Sequence, residues 1–219
     1  MIKQETLDFL KDLADNNHRE WFNANKARYE AARDNVVDFT GDLIKFLSKV
    51  DPGIDAGLDP KKCVMRIYRD IRFSLDKTPY KKSFGIGKLQ TGKGAWVGYY
   101  VHIEPGKSFV AGGSWMPEGD YLKAIRQEID YNGKELTEIV DKPEFKKLFG
   151  EFRSQEQLKT IPREYSADNE HIDLLKLKSF IAEHSFSDKE IMKADIAERM
   201  VEVMAKIYPL NVYLMNAIA

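Results

Sequence analysis

Seventeen consecutive residues bring together the side chains best suited to hold an anion: Arg66-Ile67-Tyr68-Arg69-Asp70-Ile71-Arg72-Phe73-Ser74-Leu75-Asp76-Lys77-Thr78-Pro79-Tyr80-Lys81-Lys82. Arginine's planar fork matches phosphate and carboxylate oxygens, and Ser74 and Thr78 add hydroxyl donors. The surrounding window, residues 61–93, carries 10 Lys/Arg against 2 acidic residues in a chain whose net charge is −1. A local charge inversion of this size is self-repulsive unless partners or a ligand offset it. Arg66, Arg69, Arg72, Lys77, Thr78 and Lys81 are therefore the candidate ligand-binding residues. The competing explanation is that the arginines pair internally with Asp70, Asp76 and acidic helices.

A second constellation is Tyr100-Val101-His102-Ile103-Glu104. On a strand, Tyr100, His102 and Glu104 face one way and Val101 and Ile103 the other. His102 and Glu104 are the candidate acid–base pair, with a structural histidine hydrogen bond as the alternative. The spacing matches no metal signature, so no metal is assigned. Gly112-Gly113-Ser114-Trp115 offers a third feature. Trp115 can act as a stacking lid over a planar ligand, or fill the core behind a glycine bulge. At the start of a long helix, Arg19 can reach the same site as the basic loop or simply be an exposed first-turn arginine, and Asn17 reads as its N-cap.

Other chemistries lack their motifs. There is no phosphate-binding Gly-x-x-x-x-Gly-Lys-Ser/Thr loop, no dinucleotide Gly-x-Gly-x-x-Gly after a strand and no Gly-x-Ser-x-Gly elbow, so no cofactor is named. Cys63 is the single cysteine. It excludes an internal disulfide and has no nucleophile context. No apolar run approaches the roughly 20 residues of a membrane span, so no membrane partner is expected. The N-terminus has no apolar signal-peptide core, and a cytoplasmic location is expected. The near-neutral total charge disfavours wholesale nucleic-acid binding while leaving room for a local basic groove.

These side chains need positioning elements. Leu7, Leu10 and Leu13 predict a helix over 5–15, and Trp21, Phe22, Tyr29, Val36, Leu43, Ile44 and Leu47 predict one long helix over 19–49, with Gly41 its weak point. Strands are expected at 62–70, 95–104 and 107–115, with Glu104-Pro105-Gly106 as a hairpin turn. Pro79 bars 77–80 from a central strand. The glycine-rich stretch 84–94 reads as a mobile loop or an edge. Helices are expected at 118–130, 134–140, 143–149, 155–159, 171–184, 188–207 and 210–218, with capping boxes at Ser154 and Ser187. The order helices, strands, helices predicts an α+β fold: an antiparallel sheet in the middle of the chain packed by N-terminal and C-terminal helices. With no linker-like stretch, 1–219 reads as a single domain.

Several of these segments resemble one family. Asn17-x-Arg19-x-Trp21-Phe22, the run Arg66 to Lys81, Tyr100-x-His102-x-Glu104-Pro105-Gly106, Gly113-x-Trp115-x-Pro117 and Leu174 to Phe180 are similar to the bacterial conserved hypothetical family catalogued as domain of unknown function 2461. Ile71 and Leu75 stand where that pattern is expected to have threonine and lysine. The resemblance spans nearly the whole chain and implies a single cytoplasmic domain; it brings no activity with it. From the residues themselves the leading reading is a domain, enzymatic or not, that binds a small phosphate- or carboxylate-bearing ligand through the basic loop. The alternative is a non-enzymatic module whose basic face docks an acidic protein or nucleic acid.

Overall fold

The computed structural model describes residues 1–91, 97–152 and 156–219. It begins with helices α1 (Gln4–Asp15), α2 (Arg19–Ala24) and α3 (Lys26–Val50), followed by the short α4 (Pro60–Cys63). Strands β1 (Phe84–Gln90), β2 (Gly98–Ile103) and β3 (Ser108–Ser114) follow, then α5 (Gly119–Val140), α6 (Pro143–Phe149) and α7 (Ile172–Leu175). Strand β4 (Phe180–Phe186), α8 (Asp188–Ile191) and α9 (Ile196–Ala217) complete the chain. The four strands form one antiparallel sheet in the order β1-β2-β3-β4. Helices from both ends of the chain reach it: Tyr29 of α3 stacks on Phe84 of β1, and Ile207 of α9 sits against Gly112 of β3. The expected α+β architecture is the observed one.

The chain divides into two compact units. The first comprises Met1–Leu89, Tyr100–Val110 and Ser185–Glu202; the second comprises Gln90–Tyr99, Ala111–His184 and Val203–Ala219. In the first unit, α1 packs on α3 through Leu7, Leu10 and Leu13, all fully buried. A polar knot locks the chain start in place. The buried Asn35 carboxamide accepts from the Lys3 amide (2.9 Å) and the Thr6 hydroxyl (2.8 Å) and donates to the Met1 carbonyl (3.0 Å). Capping at Ser187 is as expected: its side chain and that of Glu190 satisfy each other's backbone amides at the head of α8. These contacts, with Arg199 beside it, hold the Glu190 carboxyl down at about 2. In the second unit, α9 buries Met204, Ile207, Leu210, Tyr213 and Leu214.

Five expectations are corrected. The long helix over 19–49 breaks at Asn25, whose φ of −108° and ψ of 19° separate α2 from α3, whereas Gly41 lies within an unbroken α3. The strand over 62–70 does not form. Residues 60–63 are helical, and only Val64 and Tyr68 make bridges, to Ile86 and Tyr80. The opposing chain takes six steps from Tyr80 to Ile86 where 64–68 takes four, so two extra residues bulge out and interrupt the ladder. The helix over 171–184 stops after Leu175 and becomes β4, because pairing with β3 overrides local propensity. The 188–207 and 210–218 helices are instead a short α8 and one α9 that runs through Pro209; the buried apolar face offsets the lost backbone hydrogen bond. Of the helix expected over 155–159, the described residues 156–159 are not helical, and Gln157 makes an isolated bridge to Leu177.

Other boundaries hold. The break expected between 130 and 134 is a kink at Asn132 within α5, and the Glu104-Pro105-Gly106 turn joins β2 to β3 with Gly106 at φ +73°. Residues 84–90 of the glycine stretch are β1, the edge of the sheet. Gly92 and Gly94 of that stretch, Trp96 of the expected strand 95–104 and the Ser154 capping box lie outside the described residues.

We propose that the chain folds as one domain, because the division between the two units falls inside every strand and inside α9. Gly113 provides a sensitive probe. Its φ is +122°, and a Cβ there would lie 2.0 Å from the Phe180 carbonyl oxygen of β4. Gly113→Ala should therefore destabilise the protein by about 3 kcal/mol or more. Gly119→Ala, with open space around it, should stay within about 0.5 kcal/mol. Urea unfolding followed by tryptophan fluorescence and by circular dichroism should give coincident curves for all three proteins. Two separated transitions would show two domains.

Candidate functional site

The basic run folds as an irregular hairpin within the first unit. The Arg69 amide donates to the Pro79 carbonyl (2.9 Å), the Lys81 amide to the Ile67 carbonyl (2.8 Å), and Tyr68 bridges Tyr80. Pro79, with no N–H to give, contributes only its carbonyl. Two contacts fasten this hairpin to the α1–α2 turn. Asn17 acts as a surrogate strand: its amide nitrogen donates to the Tyr80 carbonyl (3.0 Å) and its oxygen accepts from the Tyr80 amide (3.1 Å). Phe22 then stacks flat on the Tyr80 ring at 4.0 Å and 13°. The N-cap of α2 is therefore His18, whose Nδ1 accepts from the Trp21 amide, and not Asn17.

The loop between the hairpin arms is braced from inside by Arg69. Its Nη1 donates to Asp76 Oδ2 (2.6 Å), to the Thr78 carbonyl (3.1 Å) and to the Thr78 hydroxyl, and its Nη2 to Ser74 Oγ (3.4 Å). Asp76 also accepts from the Thr78 amide (2.9 Å). Bonds from Thr78 first, then from Arg69, hold the Asp76 carboxyl down at about 2. Arg72 grips Asp70 with two nitrogens, at 3.0 and 2.7 Å, and lowers its pKa. Lys77 Nζ closes the loop on the Ile71 carbonyl (3.0 Å). So Arg69 and Arg72 do pair internally, as the competing explanation had it. Arg66 and Lys81 are in no ion pair among the described residues. Burial, and then the neighbouring Arg66, lower the Lys81 pKa.

Where α2 meets the hairpin there is a half-open cleft of about 330 Å³, lined by Arg19, Asn23, Tyr68, Arg69, Ile71, Pro79 and Tyr80. It joins Arg19 to the basic run. Asn23, Tyr68 and Tyr80 were not singled out as site residues in the sequence. The signal for Asn23 was helical spacing: it lies four residues after Arg19, on the same face of α2.

The β2 constellation forms a hydrogen-bonded line in the same unit. The Tyr100 hydroxyl lies 3.1 Å from His102 Nδ1, and His102 Nε2 lies 2.9 Å from Glu104 Oε2. Since Glu104 accepts, a neutral His102 carries its proton on Nε2 and receives the Tyr100 O–H at Nδ1. Phe109 stacks on the imidazole at 4.9 Å. Burial, and then Glu104, raise the Tyr100 pKa. The hydroxyl occupies space that only a glycine leaves open: a Cβ on Gly85 would lie 2.7 Å from it and 3.1 Å from Met65 Sδ. The line therefore ends beside Met65, one residue before Arg66.

A family model described as conserved hypothetical protein (DUF2461) matches residues 5–213. The chain belongs to the DUF2461 family. No curated protein and no solved structure matches it. In this DUF2461 chain, Trp115 lies in the second unit and is 67 % exposed, so it does not fill the core. The glycines serve close packing instead: Gly112 lies against Ile207 of α9 and Gly113 against Phe180 of β4, and the Met116 amide donates to Ser179 Oγ (2.9 Å). Cys63 is buried, and burial raises its thiol pKa away from nucleophilic use. Among the described residues no three His, Cys, Asp or Glu side chains gather as a metal site, and no helix is long and apolar enough to cross a membrane.

Two outcomes follow for the hairpin. Asn17→Ala leaves both backbone groups of Tyr80 without these partners and should destabilise the protein by about 1–3 kcal/mol, measured by urea unfolding; an effect below the lower figure would reduce Asn17 to a surface residue. Because the Asp76 pKa is depressed in the fold, its bracing is present above its ordinary 3.8 and is lost as pH falls through about 2. The Thr78 amide resonance should move with that titration and stay still in Asp76→Asn.

Proposed function

We propose that this protein binds a small phosphate- or carboxylate-bearing molecule, in the cytoplasm, in the cleft between α2 and the basic hairpin. One observation carries the reading: arginines from two separate elements, Arg19 of α2 and Arg69 of the hairpin, line one concave surface. Arg69 is immobilised by Asp76, Thr78 and Ser74, so little side-chain entropy remains to be lost when an anion arrives. Arg19 supplies the free fork. Tyr68 offers a ring for a planar portion of the ligand, and Asn23 an amide. Arg66 and Lys81 add positive potential from the hairpin stem. Arg72 and Lys77, whose bonds are within the loop, contribute field more than contact.

His102 and Glu104, the candidate acid–base pair, lie in the same unit but are not among the residues that line the cleft, so the reading is one of binding. The Tyr100–His102–Glu104 line is a separate path along which a proton can move. Trp115 lies in the second unit and is not part of this cleft.

The proposal is tested by thermal shift with inorganic phosphate, sulfate and nucleoside phosphates. A ligand at ten times its dissociation constant stabilises the native state by about 1.4 kcal/mol, a rise of a few degrees. Arg19→Ala should abolish that rise while leaving the melting temperature without ligand unchanged, since Arg19 is exposed. No rise with any of these anions, or a rise that persists in Arg19→Ala, would refute the cleft.

A further inference from the structure

We propose that the tip of the basic hairpin, residues 70–77, is a docking element for an anionic lipid surface. Phe73 is 96 % exposed and Leu75 is fully exposed, two residues apart. Large apolar side chains left this open mark an interaction site when they cluster. The tip is not a slack loop. Arg69 ties together Ser74, Asp76 and Thr78, Arg72 holds Asp70, and Lys77 closes on the Ile71 carbonyl. The two apolar side chains are thus presented outward by a braced frame that needs no further contact to hold its shape.

Charge decides the kind of partner. The tip itself is balanced, Arg72 and Lys77 against Asp70 and Asp76, and the excess lies in its flanks: residues 61–69 and 78–82 add six Lys/Arg and no acidic residue, while Asp70 and Asp76 are already paired with Arg72 and Arg69. An anionic headgroup layer engages such dispersed cations together, without needing a matched carboxylate for each. Its acyl boundary then accepts Phe73 and Leu75. Single-stranded nucleic acid fits less well. Leu75 has no ring for a base to stack on, and the Arg72 guanidinium lies 5.9 Å from the centre of the Phe73 ring, over the face that a base would use. The lack of a spanning helix among the described residues concerns crossing a bilayer, not resting on it. This inference stands apart from the Arg19 cleft, and either can fail alone.

Vesicle flotation with the full chain tests it, using phosphatidylcholine vesicles with and without phosphatidylglycerol. Binding is expected only to the vesicles containing phosphatidylglycerol, and it should weaken steeply with salt. Phe73→Ser combined with Leu75→Ser should weaken binding by about tenfold or more. Arg72→Gln should weaken it by about fivefold, the worth of one cation near such a surface. Phe73 and Leu75 are exposed, so the double variant should keep the wild-type melting temperature and the wild-type response to soluble anions. Phe73→Trp gives a gain of signal, with its fluorescence quenched by brominated acyl chains. Absence of wild-type binding, equal binding to neutral vesicles, or undiminished binding by the double variant would each overturn the proposal. So would binding of a single-stranded oligonucleotide that depends on Phe73 in the absence of vesicle binding.

Discussion

Everything described at the candidate site depends on how Tyr80 is held. Its backbone is paired on one side with the hairpin, through the bridge to Tyr68, and on the other with the Asn17 carboxamide. Its ring is stacked against Phe22. A segment rich in lysine and arginine has little apolar surface with which to fold against a protein. Tyr80 provides that anchor. Phe22 also touches Tyr29, and Tyr29 touches Phe84, so the ring contacts run from α2 through α3 to the first strand. The cleft is the surface left where α2 meets this anchored hairpin.

The brace around Arg69 shows how a cationic segment can be partly self-neutralised and still present positive charge. Arg69 and Arg72 are absorbed by Asp76 and Asp70, which sit seven and two residues away. Arg66 and Lys81 are left without such partners among the described residues, and the proximity of Arg66 to Lys81 is felt as a lowered lysine pKa. Surface pairs of this kind contribute little to global stability. Their effect here is conformational: they fix the loop shape, and so decide which cations face outward.

How much of this was legible in the sequence follows from how local each signal is. The β2–β3 hairpin could be read because Glu104-Pro105-Gly106 is a turn with flanking alternation, and the same alternation put Tyr100, His102 and Glu104 on one face, where they now bond in line. For Arg19 the sequence allows two readings, a reach to the basic run or an exposed first-turn arginine, and only the fold shows that it lines a cleft with Arg69. Strand β4 is hidden in the sequence because Phe180–Phe186 follows closely on the helical start at Ile172–Leu175, and only pairing with β3 separates the two. The strand over 62–70 fails because a bulge on the opposite chain, invisible in 62–70 itself, breaks the ladder. Asn17 was misread for a related reason. An asparagine before a helix is usually a cap, and only the position of Tyr80, 63 residues later, makes it a strand partner. Trp115 was weighed as core because glycines precede it, yet those glycines serve the close approach of β4 and leave the ring outside.

The interleaving of the two units along the chain has a consequence for biosynthesis. The first unit is not complete until residue 202, and the second residue of the chain, Ile2, donates its backbone amide to the carbonyl of Ile191. A ribosome releases these partners far apart in time. The apolar faces of α1 and α3 can meet early, because they are close in sequence, but the pocket that receives Ile2 does not exist until Ile191 has emerged. The first unit therefore closes only after its last segment, Ser185–Glu202, has been synthesised, not from its N-terminal helices forward. Until then the apolar faces of those helices stay half-covered.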